Sequence, residues 1–312
     1  MEHGSAADYH DPVLGREVMD LLELREDGLY LDGTVGGGGH ARLLLERCGT
    51  CRLLAVDRDP AALAHARAVL EPYRNRVRFL QARFDLAVDD MEVKDRGLDG
   101  ALLDLGVSSR QLDVEERGFT YRRGAQLDMR MDPSAGGETA ADVLATEDEG
   151  TLMLLFRELA EEPRARQLAR EIVRRRMNAT LGTSDDLVSA LAAAVGRAPT
   201  HQEKARVFQA LRIRVNGELE SLAAALDGIR DSLRPGGVLA VISYHSLEDR
   251  MVKHSFREWS RECVCPPDFP VCRCRGVALG ETLTRRAVVA SPEELARNPR
   301  SRSAHLRAWR AA

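Results

Sequence analysis

The stretch Leu31-Asp32-Gly33-Thr34-Val35-Gly36-Gly37-Gly38-Gly39-His40 decides how this chain folds. An apolar run, Leu29 to Leu31, leads into Asp32. Four consecutive glycines follow, and Ala41, Leu43, Leu44 and Leu45 then open a helical pattern. The order is strand, tight glycine loop, helix. Glycine reaches backbone angles closed to other residues and lets a ligand touch the main chain. The N–H groups at a helix start favour polar or anionic ligand groups. The segment is therefore expected to hold a nucleotide-like cofactor near residues 32–40, a plain flexible turn being the competing reading.

Outward from the loop, strand and helix patterns alternate. Leu53-Leu54-Ala55-Val56 reads as a strand ending at Asp57, and Asp59-Pro60 supplies an N-cap and a first-turn proline for a helix over 61–70. Val77–Leu80 and Gly100–Leu105 read as two further strands. Such alternation predicts a parallel sheet covered by helices. Residues 106–134 are polar, long for a connection, and so expected to be functional. Residues 138–196 read as helical throughout, with amphipathic stretches over 151–160, 165–177 and 185–195. One long helix is expected from Gln202 to Leu233, ended by Arg234-Pro235-Gly236-Gly237. A central strand follows at Val238–Ser243, then a helix capped by Ser246, then a last strand at Ala304–Trp309. The expected architecture is an α/β, Rossmann-like domain over 1–133 and 204–312, interrupted by an all-helical insert over 134–203.

Composition narrows the class. The 312 residues are 44% hydrophobic and 30% charged, which describes a globular protein. No apolar run reaches membrane-spanning length, and the stretch Met1–Tyr9 carries acidic residues and no apolar core, unlike a secretory signal. A cytoplasmic location is expected, with the six cysteines as reduced thiols or metal ligands. Net charge is −4, but arginine is concentrated locally: Arg164, Arg166, Arg170, Arg174, Arg175 and Arg176 crowd one segment, and nine arginines against three acids follow from Arg273. Such faces can hold phosphate backbones. Equally, arginine carries nearly all positive charge in this chain, Lys94, Lys204 and Lys253 being its three lysines.

Asp57 stands 21 residues after Gly36 at the end of the second strand. In a doubly wound sheet a carboxylate there accepts both ribose hydroxyls of a cofactor, as in NAD and S-adenosylmethionine enzymes alike. Asp32, just before the loop, suits a methionine ammonium group and would repel a pyrophosphate; capping the loop is its alternative role. Asp104 closes the fourth strand and points into the crevice where ligands of open α/β sheets bind. Followed by Leu105-Gly106-Val107-Ser108-Ser109, it offers acceptors to an amine, aligning its lone pair with a methyl donor; a turn cap is the alternative.

These residues closely resemble the bacterial 16S ribosomal RNA cytosine-N4 methyltransferases of the RsmH (MraW) family. The matching segments are His10–Leu14, Asp32–His40, Asp57-Arg58-Asp59, Leu103–Asp113, Glu116–Phe119, Leu127–Asp132, Phe208–Ile213, Val215-Asn216, Ser243–Arg250 and Asn298–Ser303. The resemblance implies a class I methyltransferase fold with an inserted helical, RNA-recognising domain. It implies S-adenosylmethionine as methyl donor and a cytidine of the decoding centre, in the 16S rRNA of the small ribosomal subunit, as acceptor. The family's cofactor positions fall on Gly38, Gly39, His40, Asp57, Phe84, Asp104 and Gln111. The chain departs from the family pattern at Gln126, at Gln202–Ala205 and at Ala160, in and around the insert.

Asp104 and His245 are the candidates for chemistry, His245 alternatively bonding only to nearby backbone. Arg130 either contacts RNA or pairs with Asp128 and Asp132, pairing being favoured; Arg212 and Arg214 either bind phosphate or line a solvated face. Cys263-Val264-Cys265 and Cys272-Arg273-Cys274 flank the turn-forming Pro266–Pro270. Four thiols could converge there tetrahedrally, as zinc requires; reduced thiols are the alternative. Two other readings of the whole chain are an NAD-dependent oxidoreductase and a nucleic-acid binding protein with a decayed enzyme fold. Asp32 and the loop at Asp104 speak against the first, and the intact Asp57, Asp104 and glycines against the second.

Overall fold

A computed structural model describes residues 12–108, 111, 114–266, 271 and 273–312. The chain divides into two compact units, one of Met1–Gly106 with Glu220–Ala312, the other of Val107–Leu219.

The first unit is built on a seven-stranded sheet. Its strands are β1 (Leu29–Asp32), β2 (Arg52–Asp57), β3 (Val77–Gln81), β4 (Leu98–Asp104), β5 (Leu233–Ser243), β6 (Gly280–Thr282) and β7 (His305–Ala311), in the order β3-β2-β1-β4-β5-β7-β6. The first five run parallel, and β7 pairs antiparallel with β5 and with β6. All four residues of β1 are buried, as befits a parallel strand covered on both faces. Side chains alternate across the sheet, and this divides the core in two. Tyr30, Leu53, Ala55, Val238, Ala240 and Ile242 pack into one cluster; Leu31, Leu54, Val56, Leu239 and Val241 pack into the other. The chain leaves β1 towards β2 and β3, then returns to place β4 on β1's other side. The carboxyl ends of β1 and β4 therefore flank the topological switch point, where such sheets bind ligands.

The second unit consists of helices Ala140–Thr146, Glu149–Glu158, Ala165–Arg176, Ser184–Val195 and His201–Asn216 around a single core. It is wider than the expected insert over 134–203. Phe119, Leu127, Met129 and Met131 are the reason: they bury within that helical core, so the segment expected to be a polar connection belongs to it. Three of the helices begin with capping boxes, Thr139 with Asp142, Thr183 with Asp186 and Thr200 with Glu203.

Other expectations also change. The helix expected over 202–233 ends at Asn216, because Gly217 adopts a left-handed φ of 59°, and a new helix runs Glu218–Ser232. Strand β5 starts at Leu233, ahead of the Pro235-Gly236-Gly237 stretch expected to be a loop. His245, not Ser246, caps the helix Ser246–Trp259. Cys48 and Cys51, expected as thiols, form a disulfide: the turn between the helix Gly39–Arg47 and β2 brings their Cα atoms to 5.6 Å, within bridging range. Among the described residues no helix is long and apolar enough to cross a membrane.

Candidate active site

The glycine loop is shaped by hydrogen bonds to the two strands that flank β1. Gly33 N–H donates to Leu102 O on β4 (3.0 Å), and Val35 N–H donates to Val56 O on β2 (2.9 Å). A Cβ on Gly33 would stand 2.5 Å from Leu103 Cδ2 and 3.1 Å from Phe84 Cβ. A side chain at this position would press on Leu103 and on half-buried Phe84, which stands against the loop. Gly36 and Gly38 have φ of 49° and 82°, and Gly38 is the N-cap of the helix Gly39–Arg47. The loop is thus a hydrogen-bonded turn with two glycines in the left-handed region.

Three carboxylates stand at strand ends around it. Thr34 N–H donates to Asp32 Oδ1 (3.2 Å), and Asp104 N–H donates to Thr34 Oγ1 (2.6 Å), so Thr34 ties β1 to β4. Asp57 accepts from Gly36 N–H on Oδ2 and from Asp59 N–H on Oδ1, both at 2.9 Å. Burial pushes the Asp32 carboxyl up to about 8, opposed by the Thr34 amide and reinforced by Asp104 and Asp57. Burial likewise raises Asp57 to about 6, against the pull of the Asp59 and Gly36 amides. Asp104 is raised by burial, while His40 and the Tyr244 hydroxyl act to lower it. Clustered acids with raised pKa values in a crevice mark a functional site.

Asp104 has a defined surround. Tyr244 Oη donates to its Oδ1 at 2.8 Å, and His40 Nδ1 lies 3.7 Å from its Oδ2. His40 Nε2 is 2.8 Å from Val13 O; a carbonyl only accepts, so Nε2 carries a proton. Burial raises the Tyr244 pKa far above its usual value, which keeps the hydroxyl a donor. Its backbone N–H donates to Glu248 Oε2 (3.0 Å). His245 stands behind this pair. Its Nδ1 accepts from Glu248 N–H (3.4 Å), and its Nε2 lies 3.0 Å from Glu248 Oε1 but out of hydrogen-bonding alignment. Sequence reasoning placed Asp104 and His245 but assigned no role to Tyr244, Glu248 or Thr34. Their roles depend on register: Asp104 pairs with Ile242 across β4 and β5, which sets Tyr244 beside the carboxylate.

The remaining candidates fall as follows. Gln111, in the second unit, is buried; its Oε1 accepts from Ser108 N–H (2.9 Å) and its own N–H donates to Ser108 Oγ (3.2 Å). Arg130 pairs with Asp128 through Nε (2.9 Å) and Nη2 (2.6 Å), although Met129, with φ of 62°, breaks the extended run expected there. Arg212 pairs with Glu218, and Arg214 with Glu147 and Glu138. Arg174 and Arg175 pair with Glu171, while Arg176 donates to carbonyls of Leu144 and Glu147. Much of this arginine-rich segment is thus engaged inside its own unit. Of the cysteines proposed for zinc, Cys263, Cys265 and Cys274 come together, while Cys272 lies outside the described residues, as do His10, Ser109, Arg110 and Asp113.

Five parallel strands extended by an antiparallel β7, with acids at the ends of β1, β2 and β4 around a glycine turn, define a Rossmann-like class I methyltransferase. The chain belongs to the MraW methylase family, whose model matches residues 7–312. It is 50% identical to "Ribosomal RNA small subunit methyltransferase H" of Gemmatimonas aurantiaca, across 99% of this chain and 97% of that protein. It is 48% identical to the protein of that name from Heliobacterium mobile, across 96% and 97%. The protein of that name from Anaeromyxobacter dehalogenans strain 2CP-1 is 49% identical, across 97% and 98%. Membership favours methyl-group chemistry over hydride chemistry at the loop.

Proposed function

We propose that this protein transfers a methyl group from S-adenosylmethionine to N4 of a cytidine in the decoding centre of 16S rRNA, acting on the small ribosomal subunit in the cytoplasm. The observation that carries the reading is the trio of buried Asp32 and half-buried Asp57 and Asp104 around the glycine turn, all with raised pKa values, in a chain of a methylase family.

The donor set fits the cofactor. The side-chain charges that act most on Asp32 are the acids Asp104 and Asp57, and a methionine ammonium group would balance them. Asp57 already takes two amides, but carboxylate oxygens accept more than one hydrogen bond each, which leaves capacity for ribose hydroxyls. Phe84 offers an apolar wall to the adenine, and Gly38, Gly39 and His40 offer main chain and an imidazole. By the family resemblance alone, Gln111 is a further cofactor residue. When bound, S-adenosylmethionine supplies an electrophilic methyl group on a sulfonium sulfur.

An exocyclic amine is a poor nucleophile because its lone pair is delocalised into the ring. Asp104 accepts hydrogen bonds from that amine and so concentrates its lone pair. Its orientation is held by the Tyr244 hydroxyl. The amine must lose one proton on methylation, and a carboxylate of raised pKa is a competent acceptor. His245 acts as a positioning residue through Glu248 and Tyr244. The helical unit, Val107–Leu219, is assigned to recognition of the RNA.

The test is methylation of small subunits from a strain lacking the enzyme, using labelled S-adenosylmethionine and mapping the modified nucleoside. Label in N4-methylated cytidine of the decoding centre is expected. Label in another base, or none with active cofactor binding, would overturn the reading.

A further inference from the structure

The segment between the helix Ser246–Trp259 and β6 carries a second cluster of reactive groups. Its described residues from Arg261 to Leu279 form no helix or strand. The Sγ atoms of Cys263, Cys265 and Cys274 all lie within 4.8 Å of one another. Cys274 Sγ is 3.8 Å from Cys263 Sγ. That is far beyond a disulfide bond of about 2.05 Å. It does match the edge of a tetrahedron around zinc: with Zn–S about 2.3 Å, tetrahedral sulfurs stand about 3.8 Å apart.

The backbone supports the same chemistry. Val264 N–H donates to Cys274 Sγ (3.3 Å), and Arg273 N–H donates to Cys265 Sγ (3.4 Å). Val264 and Arg273 thus each aim an amide at a cysteine sulfur eight to ten residues away. Amide donors aimed at the sulfurs are the outer-shell contacts that orient cysteine ligands around a metal. On its other side the segment is fastened by Arg275. This side chain donates Nη2 to the carbonyls of Glu258 (2.6 Å) and Arg261 (3.0 Å) and Nε to Val277 O (2.9 Å).

We propose that Cys263, Cys265 and Cys274 form three corners of a structural zinc site that pins this segment. Sulfur donors select zinc over the hard cations magnesium and calcium. Three thiolates leave one tetrahedral position for a further donor. Binding exchanges protons for metal: each thiol that ligates gives its proton to solvent, so affinity falls with acidity. No oxidant or reductant takes part, and the proposal does not depend on the methyl-transfer reading.

The test uses the full chain without a histidine tag, purified from zinc-supplemented cells without chelator. Mass spectrometry of the metal content is expected to find about one zinc per chain. Metal-stripped protein titrated with cobalt(II) is expected to show thiolate-to-cobalt charge-transfer bands that zinc abolishes. The double variant Cys263→Ser/Cys274→Ser, checked for folding by circular dichroism, should lose the zinc, whereas Cys48→Ser/Cys51→Ser should keep it. Wild-type protein with only background metal and no cobalt–thiolate bands overturns the proposal, whatever the variants do. Zinc retained by the first double variant overturns the assignment of ligands, and stoichiometric iron in its place overturns the choice of metal.

Discussion

Asp32, buried, and Asp57, half-buried, stand at strand ends in the first unit, with carboxyl pKa values raised to about 8 and about 6. Glu171 and Glu203 in the helical unit are ion-paired instead, Glu171 with Arg174 and Arg175 and Glu203 with Arg197, and their values fall to about 2. Asp128 is lowered as well, its Arg130 bonds outweighing burial. Around the glycine turn the acids act on one another, whereas these acids of the helical unit pair with arginines close in sequence. Burying an unpaired carboxyl is costly, so a fold retains such groups where a ligand completes them. Paired charges report how a surface holds itself together.

The largest effect that tests this contrast is expected at Asp104. Asp104→Ala should lower methyl transfer at saturating S-adenosylmethionine about a thousandfold, a larger loss than its effect on the Kd for S-adenosylhomocysteine. Single-turnover kinetics and calorimetry together separate these quantities. Unchanged turnover would move the acceptor role elsewhere. Asp57→Ala is expected to weaken cofactor binding about a hundredfold, from two charge-assisted hydrogen bonds of about 1.5 kcal/mol each. Calorimetric titration measures it directly, and a change under about threefold, less than one such bond, would remove Asp57 from the site.

In the helical unit the comparable side chain is Asn216. It donates Nδ2 to Met129 O (2.8 Å) and Arg212 O (2.9 Å) and accepts from Met131 N–H (2.9 Å). Asn216→Ala should destabilise the protein by about 3 kcal/mol, seen in urea unfolding.

Stability against pH sharpens the comparison further. Asp32 and Asp57 bind their protons more tightly in the folded chain than an ordinary aspartate does at 3.8. Their contribution to stability is therefore complete below about pH 4. It is lost as pH rises through about 6 for Asp57 and about 8 for Asp32. Glu171 and Glu203, with depressed values, contribute above their unfolded value of 4.5 and lose that contribution only in acid. The melting temperature of the cofactor-free protein should accordingly fall between about pH 5 and pH 8, and Asp32→Asn should flatten the slope. An unchanged slope would show that Asp32 titrates normally. The smallest effect is expected for Arg174→Gln, with no measurable change in melting temperature, because the pair is exposed and Arg175 still reaches Glu171.

The sheet was largely legible in the sequence. Apolar strands ending in Asp32, Asp57 and Asp104 and the helix after Asp59-Pro60 follow local rules of burial and capping, and each is found where those rules put it. The unit boundary at Val107 was not legible, because polar residues mask Phe119, Leu127, Met129 and Met131, which find their core only among distant helices. The break at Gly217 was missed because a single glycine weakens a helical pattern without ending it.

By itself, then, the sequence determined that acids and glycines meet at one end of a parallel sheet, since hydrophobic period and turn chemistry are local properties. Tertiary structure alone decided what those acids experience. Strand register brought Tyr244 to Asp104, and burial raised the carboxyl pKa values. Chain return set three cysteine sulfurs within 4.8 Å of one another. Distances and desolvation arise between residues far apart in the chain, and no local pattern encodes them.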